Sequence, residues 1–264
     1  MPNSPVVTGV TDIGRIRKRN EDSLSLLPEL GVAVVADGMG GHPGGDVASR
    51  IAADTTVHLL GEAQKALSTA SEALVHMRGV MEAAIQEAHA EIRVRGTAAP
   101  ELVGMGTTLT AMVVNRDTDT YVLGHVGDSR AYLYRAGTLT QLTRDDTWVQ
   151  DRIERGDITA EAARTHPYGH LLTQCLGLED APSPQVLDGR VDVGDAYLLC
   201  TDGLVGMLED SELERILGEH LDPDNEPDGD EPSSPIQALI DAANAGGGHD
   251  NITAVLIRIA ARVA

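Results

Sequence analysis

Five aspartates stand at the ends of short predicted strands, each beside a glycine or within a polar turn. They are Asp22, Asp37, Asp128, Asp202 and Asp250, and four of them adjoin an apolar run. Because strand ends in a sheet sandwich share one rim, side chains distant in sequence can meet there. Carboxylates gathered at one rim raise one another's pKa, and a bound divalent cation removes that cost. A single Asp-Gly is an ordinary turn, so only the joint pattern predicts a metal site.

The ligand set of this predicted site is all oxygen, with no accompanying group of His or Cys. That chemistry favours Mg²⁺, Mn²⁺ or Ca²⁺ over Zn²⁺. A basic run over 15–19 precedes Asp22 and contains Arg15, Arg17, Lys18 and Arg19. An Arg beside a metal-binding Asp suits bidentate capture of phosphate oxygens, although a solvated basic turn explains the run equally well. Together the two features suggest two-metal phosphoryl hydrolysis.

Two glycine-containing segments fail the tests for other chemistries. The segment 37–45 is rich in glycine, but Pro43 interrupts the dinucleotide-binding spacing and the Gly-Lys-Ser/Thr of a Walker loop is missing. Its glycines allow close backbone approach, so the carbonyl of Gly38 is a further candidate metal ligand. The segment around Ser129 lacks the closing glycine of a nucleophile elbow, so we expect Ser129 to be structural.

Composition excludes several classes of partner. The 264 residues carry a formal net charge of -21, and aromatic residues make up only 2%. Without a basic excess or stacking aromatics, we expect neither nucleic acid nor an anionic membrane as a partner. Cys175 and Cys200 are expected to be buried reduced thiols of a cytoplasmic protein. We expect no signal peptide and no membrane-spanning helix.

Groups of strands alternate with groups of helices along the chain. Strands are predicted at 6–12, 23–27, 31–37, 107–115, 121–127, 131–135, 184–187, 196–200 and 252–264, and helices at 46–60, 74–92, 210–220 and 235–245. The apolar run 32–36 predicts a strand buried on both faces. The first helix is predicted to bury a face made of Val47, Ile51, Thr55 and Leu59.

Two segments depart from this regular pattern. The polar stretch 145–168 is predicted to be helical and irregular, and the acidic, proline-rich stretch 219–235 is predicted to be a disordered insertion. No break in the chain suggests a second domain. We therefore predict one α+β domain over 1–264, with two sheets packed face to face and covered by helices.

Six motifs follow one another between about Thr8 and Ile259. They are Gly14-x-x-Arg17-x-x-Asn20-Glu21-Asp22, Val35-Ala36-Asp37-Gly38-Met39-Gly40-Gly41-His42, Gly106-Thr107-Thr108, Val126-Gly127-Asp128-Ser129-Arg130, Leu199-Cys200-Thr201-Asp202-Gly203-Leu204 and Gly248-His249-Asp250-Asn251-Ile252-Thr253. In content and order they resemble the motifs of the bacterial type 2C (PPM) metal-dependent protein phosphatases. The resemblance implies a four-layer α-β-β-α sandwich of two antiparallel sheets between helices. It also implies hydrolysis of phosphoserine and phosphothreonine in proteins.

The resemblance further implies roles for individual residues of the metal centre. Asp37 would bridge two Mn²⁺ or Mg²⁺ ions, with the carbonyl of Gly38 on one of them. Asp202 and Asp250 would complete the binuclear site, and Asp22 would act mainly through metal-bound water.

Residues around this centre also receive roles from the resemblance. Asp128, with Asp202, would form a third metal site, and Arg17 would hold the phosphate. A water or hydroxide bridging the two metals would attack phosphorus directly. The segment 143–173 matches the flap of the family, which lies beside the site and affects the choice of substrate.

Two departures from the family pattern leave roles open. Asp145-Asp146-Thr147 stands where bacterial relatives often have Asp-His-Ser, which puts the flap's handling of substrate or metal in doubt. Met39 follows Asp-Gly where eukaryotic members have His, so the general acid is unassigned. His42 as a catalytic residue and His166 as a substrate-binding residue are candidates, and a metal-bound water is the alternative.

The sequence therefore predicts a monomeric, cytoplasmic, Mn²⁺- or Mg²⁺-dependent protein serine/threonine phosphatase. Its partners would be phosphorylated proteins, including a Ser/Thr kinase. A catalytically inactive binding module with the same fold and a hydrolase of small phosphoesters are the alternatives. The acidic surface predicts a preference for phosphosites flanked by Arg or Lys.

Overall fold

The computed structural model of the chain describes residues 4–39, 44–66, 70–221 and 234–261. The strands are β1 (Ser4–Asp12), β2 (Asp22–Leu27), β3 (Val32–Asp37), β4 (Leu109–Asn115), β5 (Thr120–Val126), β6 (Arg130–Arg135), β7 (Thr138–Gln141), β8 (Gln185–Arg190), β9 (Ala196–Cys200) and β10 (Ile252–Ala260). The helices are α1 (Gly45–Ala66), α2 (Ala70–Ala98), α3 (Trp148–Glu154), α4 (Ala160–Arg164), α5 (Asp202–Val205), α6 (Asp210–Leu221) and α7 (Pro235–Ala245).

The first sheet has the strand order β2-β3-β4-β5-β8, with antiparallel neighbours, and α1 and α2 cover one of its faces. Along β3, Val32 and Val34 belong to the core shared with these helices, whereas Ala33 and Val35 belong to the core shared with the other sheet. All four side chains are fully buried, since alternate residues of a strand point to opposite faces. The predicted strand buried on both faces is confirmed.

The second sheet has the order β1-β10-β9-β6-β7, again antiparallel, and packs α5, α6 and α7 on its outer face. Along β9, Leu198 and Cys200 face these helices, and Tyr197 and Leu199 face the first sheet. Three apolar cores thus separate four layers. The predicted α-β-β-α sandwich is confirmed, because each sheet has two apolar faces and must be covered on both.

The buried face of α1 differs from the predicted one by a single position. The structure buries Ala48, Ala52, Thr56 and Leu60 completely. The predicted set, Val47, Ile51, Thr55 and Leu59, is only half-buried. Alanines on the contact face allow a helix to lie close to a sheet, and the larger side chains then pack at the edge of the contact.

Other differences concern element bounds. The sequence pattern does not predict α5, since four residues are too few to show a helical period. Residues 219–221 form the last turn of α6 rather than part of the acidic insertion, and 222–233 lie outside the described residues. The last strand ends at Ala260, and residues 262–264 of its predicted range also lie outside the described residues.

The flap predicted at 143–173 lies between β7 and β8 and contains α3 and α4. Asp146, one of the departures from the family pattern, attaches the flap to the turn after β5. Its backbone N–H donates to the Gly127 carbonyl at 2.7 Å, and its carboxylate accepts the Gly127 N–H at 3.0 Å. Asp146 is buried, so in this chain the residue anchors the flap to the turn after β5.

The expectation that both cysteines are buried and free is met by the described residues. Cys175 and Cys200 are free and buried. No helix in the described ranges is long and apolar enough to cross a membrane.

Packing between the first sheet and α2 predicts the effect of adding one methyl group. A Cβ at Gly124 in β5 would stand 2.5 Å from Met81 Cγ and 2.9 Å from Ile85 Cδ1. Gly124→Ala is therefore expected to lower the free energy of unfolding by about 1–3 kcal/mol. Gly79, in the same helix, has open space around it, so Gly79→Ala should raise stability by about 0.5–1 kcal/mol. Urea unfolding of the two variants checks this, and a stable Gly124→Ala protein would contradict the packing.

Candidate metal centre

The five aspartates of the sequence pattern come together at one end of the sandwich. Asp22 begins β2 and Asp37 ends β3, and the two are register partners in the first sheet. Asp128 follows β5 of the same sheet. Asp202 follows β9 and Asp250 precedes β10, so the second sheet supplies the other two.

The electrostatics of these carboxylates show how closely they approach. Burial raises the pKa of Asp37 well above its usual value, and the charges of Asp22, Asp202 and Asp128 raise it further. Burial also raises the pKa of Asp22 to about 7 and that of Asp128 to about 8, with Asp202 adding to both. Asp37 and Asp202 are near enough to share a hydrogen bond. Without a cation, these acids therefore resist ionisation near neutral pH.

Two threonines from the second sheet hold Asp22 in place. The hydroxyls of Thr201 and Thr253 donate to Asp22 Oδ2 at 2.8 and 2.7 Å. Thr201 in turn accepts the backbone N–H of Thr253 at 3.0 Å. Both hydroxyl donors favour the ionised carboxylate and leave Oδ1 for another partner. The sequence motifs contain both threonines, but nothing in their local pattern indicates this role.

The backbone of Asp37 is fixed by the Gly106-Thr107-Thr108 motif. Its N–H donates to Thr108 Oγ1 at 2.9 Å, and its carbonyl accepts the hydroxyl of Thr107 at 2.8 Å. The hydroxyl of Thr108 also bonds Ser129 Oγ at 2.7 Å. Ser129 is fully buried in this contact. The expectation that Ser129 is structural is confirmed.

Glycines allow neighbouring loops within each sheet to approach each other at this end. A Cβ on Gly38 would collide with the carbonyl of Gly45 and stand 2.5 Å from that of Glu21. A Cβ on Gly203 would collide with the carbonyl of Asn251. Both positions therefore require glycine. Ligation of a metal by the Gly38 carbonyl stays a prediction.

Arg17 lies at the rim of the carboxylate cluster. Its Nη2 donates to Asp250 Oδ2 at 2.5 Å, and both side chains are partly exposed. Partial burial opposes its charge, but Asp250 and, more weakly, Asp202 and Asp37 outweigh that effect and raise the pKa of Arg17. A fixed cation thus faces the acids from the solvent side.

Asn251 fastens the loop that carries Arg17. Its Nδ2 donates to the carbonyls of Ile13 and Arg19 at 3.0 and 2.9 Å, and its Oδ1 accepts the N–H of Glu21 at 2.9 Å. The Asn251 side chain therefore bonds both ends of the segment 13–21. Asn251 lies within one of the six sequence motifs, but nothing in the local sequence indicates this role.

The two histidine candidates fall elsewhere. His42 lies outside the described residues. His166 lies in the flap, stacked on Trp148 with ring centroids 5.0 Å apart, and its Nδ1 accepts the N–H of Tyr168 at 3.1 Å. The structure therefore gives His166 an aromatic environment within the flap, and the roles of both histidines stay predictions.

The carboxylate cluster fits a hard divalent cation. Its donors are oxygens, as Mg²⁺ and Mn²⁺ prefer. Asp202 Oδ1 is buried and has no hydrogen-bond partner among the described residues, and a buried polar atom of this kind calls for a ligand. In the described ranges, no group of three or more His, Cys, Asp or Glu side chains is already arranged to hold a metal ion.

Comparison with known proteins independently supports the resemblance to the type 2C phosphatases. The family model described as "Protein phosphatase 2C" matches residues 17–229. The chain is 37% identical over 253 residues to the serine/threonine phosphatase stp of Listeria monocytogenes, covering 94% of this chain and 93% of that protein. It is also 37% identical to the serine/threonine protein phosphatase PstP of Mycobacterium tuberculosis, covering 93% of this chain and 43% of PstP.

Solved structures agree with these relatives. The crystal structure of M. tuberculosis PstP/Ppp superposes with a TM-score of 0.82 at 33% identity, covering 97% of this chain and 99% of that chain. The catalytic domain of PstP in complex with two manganese ions gives a TM-score of 0.80 at 31% identity, covering 98% and 100%.

The raised pKa values of the carboxylates predict how stability depends on pH. A pKa raised in the folded state stabilises the fold below the ordinary value near 4, and this contribution is lost as pH rises through the folded value, here about 7 to 8. In EDTA we expect the melting temperature to fall by several degrees between pH 5.5 and 8. Because a cation binds the ionised acids, stabilisation by Mg²⁺ should grow over the same range.

Thermal unfolding at four pH values, with EDTA and with Mg²⁺, measures both effects. Asp22→Asn removes one titrating acid and should flatten the metal-free curve. Metal-free stability that rises from pH 5.5 to 8 would contradict the electrostatics of the cluster.

Loss of the Asn251 side chain should release the loop 13–21. Asn251→Ala leaves three backbone groups without their partners, so we expect the free energy of unfolding to fall by about 2–4 kcal/mol. Amide hydrogen exchange over 13–21 should accelerate in the folded protein. Asn244→Ala is the matched control, because the Asn244 amide makes a single bond, to Asp12 Oδ1 at 3.2 Å. Equal effects of the two variants would argue against the fastening role of Asn251.

Proposed function

The chain belongs to the protein phosphatase 2C family and is a metal-dependent serine/threonine protein phosphatase; from this premise we propose which of its residues perform the hydrolysis. Its substrates are phosphorylated proteins. The observation that carries the assignment of residues is the cluster of buried aspartates, with the unpartnered Asp202 Oδ1 among them.

We propose that Asp37, Asp202 and Asp250 hold two ions, Mn²⁺ or Mg²⁺, with Asp37 shared between them. Asp22 and the Gly38 carbonyl would support the same pair. The pairing of Asp37 with Asp22 in the first sheet, together with the effect of the Asp202 charge on Asp37, supports a bridging role, because Asp37 is near acids carried by both sheets. Bound ions would polarise phosphoryl oxygens and neutralise the carboxylates.

A third ion is proposed at Asp128 and Asp202. The charge of Asp202 contributes to the raised pKa of Asp128, which supports their proximity. The turn that carries Asp128 is held by Asp146 of the flap through Gly127. Occupancy of this site would therefore depend on the base of the flap.

Arg17 is proposed to bind the phosphate of the substrate. One of its five N–H donors is used by Asp250, and the side chain is 45% exposed, so other donors remain available to an incoming anion. A guanidinium matches two phosphate oxygens in a fixed geometry. By neutralising part of the Asp250 charge, Arg17 also lowers the repulsion that a phosphate meets at the rim.

Two histidines are proposed as candidates for the group that gives a proton to the leaving alkoxide. His42 lies five residues after Asp37 in the sequence, and His166 belongs to the flap. The stacking of His166 on Trp148 supports a role in shaping the flap surface that meets the substrate. We therefore propose His42 as the catalytic group and His166 as the substrate-binding group.

For the whole chain we propose a single phosphatase domain over 1–264, with a flap at 143–173 and an acidic insertion whose residues 222–233 lie outside the described ranges. We propose a monomer in the cytoplasm, with a Ser/Thr kinase among its substrates. A net charge of -21 supports the absence of nucleic-acid and anionic membrane partners. Two free buried thiols suit a reducing compartment.

Substitution of Asp37 separates the chemistry from the fold. Asp37→Asn should lower Mn²⁺-dependent phosphate release from a phosphothreonine peptide by about a thousandfold or more, since several kcal/mol of metal stabilisation are lost. In EDTA the same variant should melt at a higher temperature than the wild type, because one repelling carboxylate is gone. Retained Mn²⁺-dependent turnover in Asp37→Asn would refute the proposed centre.

A further inference from the structure

A large cleft opens from the metal centre between the flap and the helices of the second sheet. Its volume is about 670 Å³, which is in the range of sites that bind small molecules or side chains. Asp128 and Asp202 line one end, so the cleft is continuous with the carboxylate cluster. A substrate whose phosphate lies at the metal centre must place its neighbouring residues in or beside this space.

The two walls of the cleft are partly apolar. Val149 and Ile153 of α3 contribute on the flap side. Val205, Met207 and Leu208, between α5 and α6, contribute on the other side. Such walls suit a side chain with a long hydrocarbon stem, because Lys and Arg bury their methylene groups against apolar surface while the charged end reaches polar partners.

Among the charged side chains that line the cleft, one carboxylate has no basic partner in the described residues. Arg130 is neutralised by Asp145, with Nε–Oδ1 at 2.9 Å and Nη2–Oδ2 at 2.7 Å. Asp210 accepts only the hydroxyl of Tyr132, at 3.0 Å, and no basic side chain of the described residues forms an ion pair with it.

The rim adds one further acid, Glu209, which pairs with Arg164 of α4 across the opening. Both side chains of this pair are about two-thirds exposed. An exposed pair of this kind is weak, so Glu209 can exchange Arg164 for an incoming cation. Asp210 together with Glu209 therefore gives the cleft its negative character, apart from the acids of the metal centre.

The metal centre thus has a positive and a negative neighbour. Arg17, in the basic run 15–19, pairs with Asp250, and the acidic cleft opens beside Asp128 and Asp202. A phosphoprotein segment can place its phosphate at Arg17 and a neighbouring basic side chain in the cleft. Each of its charges then meets a group of opposite charge. The reverse charge pattern would meet repulsion on the cleft side.

We propose that this cleft binds an Arg or Lys side chain close to the phosphorylated residue of the substrate, with Asp210 and Glu209 as the specificity-determining residues. The proposal rests on the phosphatase activity and on the metal centre described above. The acidic surface predicts a general preference for phosphosites flanked by Arg or Lys, and the cleft gives this preference a defined binding site.

The test uses variants of one phosphothreonine peptide. In each variant, one of the two positions before or the two positions after the phosphothreonine carries arginine, citrulline or glutamate. Citrulline has the shape of arginine without its charge. The measured quantity is the ratio of kcat/KM for the arginine peptide to that for the citrulline peptide, taken within each protein so that a general change in activity cancels. At the position that reaches the cleft we expect a ratio of about ten for the wild type, residing in KM.

Three variants locate the source of the preference. Asp210→Asn keeps the acceptor for Tyr132 and should lower the ratio to about three, and the double variant with Glu209→Gln should bring it close to one. Glu212→Gln is the matched control, since Glu212 lies in the same first turn of α6 but does not line the cleft. Its ratio should equal that of the wild type.

Each failure has a distinct meaning. A wild-type ratio of one at every position, or an unchanged ratio in the double variant, would overturn the cleft as the binding site of a basic side chain. An equal fall in Glu212→Gln would also overturn it, because the preference would then arise from overall charge. Absence of Mn²⁺-dependent turnover on every peptide and on a small aryl phosphate would instead refute the phosphatase function itself.

Discussion

Mutual repulsion among buried carboxylates is the constraint on which the rest of this structure depends. Asp22 is buried and Asp37, Asp128 and Asp202 are half-buried, and loss of solvent contact is the largest cause of the raised pKa of each. Gathering them costs free energy in the absence of a cation. The surrounding contacts reduce that cost only partly: two threonine hydroxyls serve Asp22, and Arg17 faces the cluster from the rim.

Holding such a cluster together requires a rigid frame, and the four-layer sandwich provides one. The strands that end at the cluster, β3 and β9 in particular, are buried on both faces. Their apolar side chains alternate between two cores, so a slip by one residue would move every side chain into the opposite core and disrupt the packing of both. The register that pairs Asp22 with Asp37 is therefore fixed by hydrophobic packing along β2 and β3 rather than by the acids themselves. The fold stabilises a site that would otherwise push itself apart.

Hydrophobic packing sets the strand register and the acids form the site, and this separation of roles explains what could be predicted from the sequence. Four of the five aspartates adjoin an apolar run, and all five stand beside a glycine or within a polar turn, so their joint pattern places them at strand ends. The partners of the acids carry no such signal, because Thr201 and Thr253 contact Asp22 across 179 and 231 residues of chain. The bonds of Asn251 to the loop 13–21 are equally remote in sequence. For α1 the period was correct but the buried face was displaced, since hydrophobicity favoured Val47 and Ile51 whereas close packing on the sheet favoured the smaller Ala48 and Ala52.

An acidic enzyme that acts on phosphate esters faces a conflict of charge, since the protein carries -21 and the phosphate group is itself an anion. Screening separates the two effects by distance: at physiological ionic strength the Debye length is about 8 Å. Within that distance, the phosphate meets Arg17 and the cations for which the carboxylates are arranged. Beyond it, the summed charge is largely screened, so it favours basic segments only weakly at this ionic strength. The cleft beside Asp128 brings the same preference into direct contact through Asp210, so positive groups recognise the phosphate and negative groups recognise its basic neighbour.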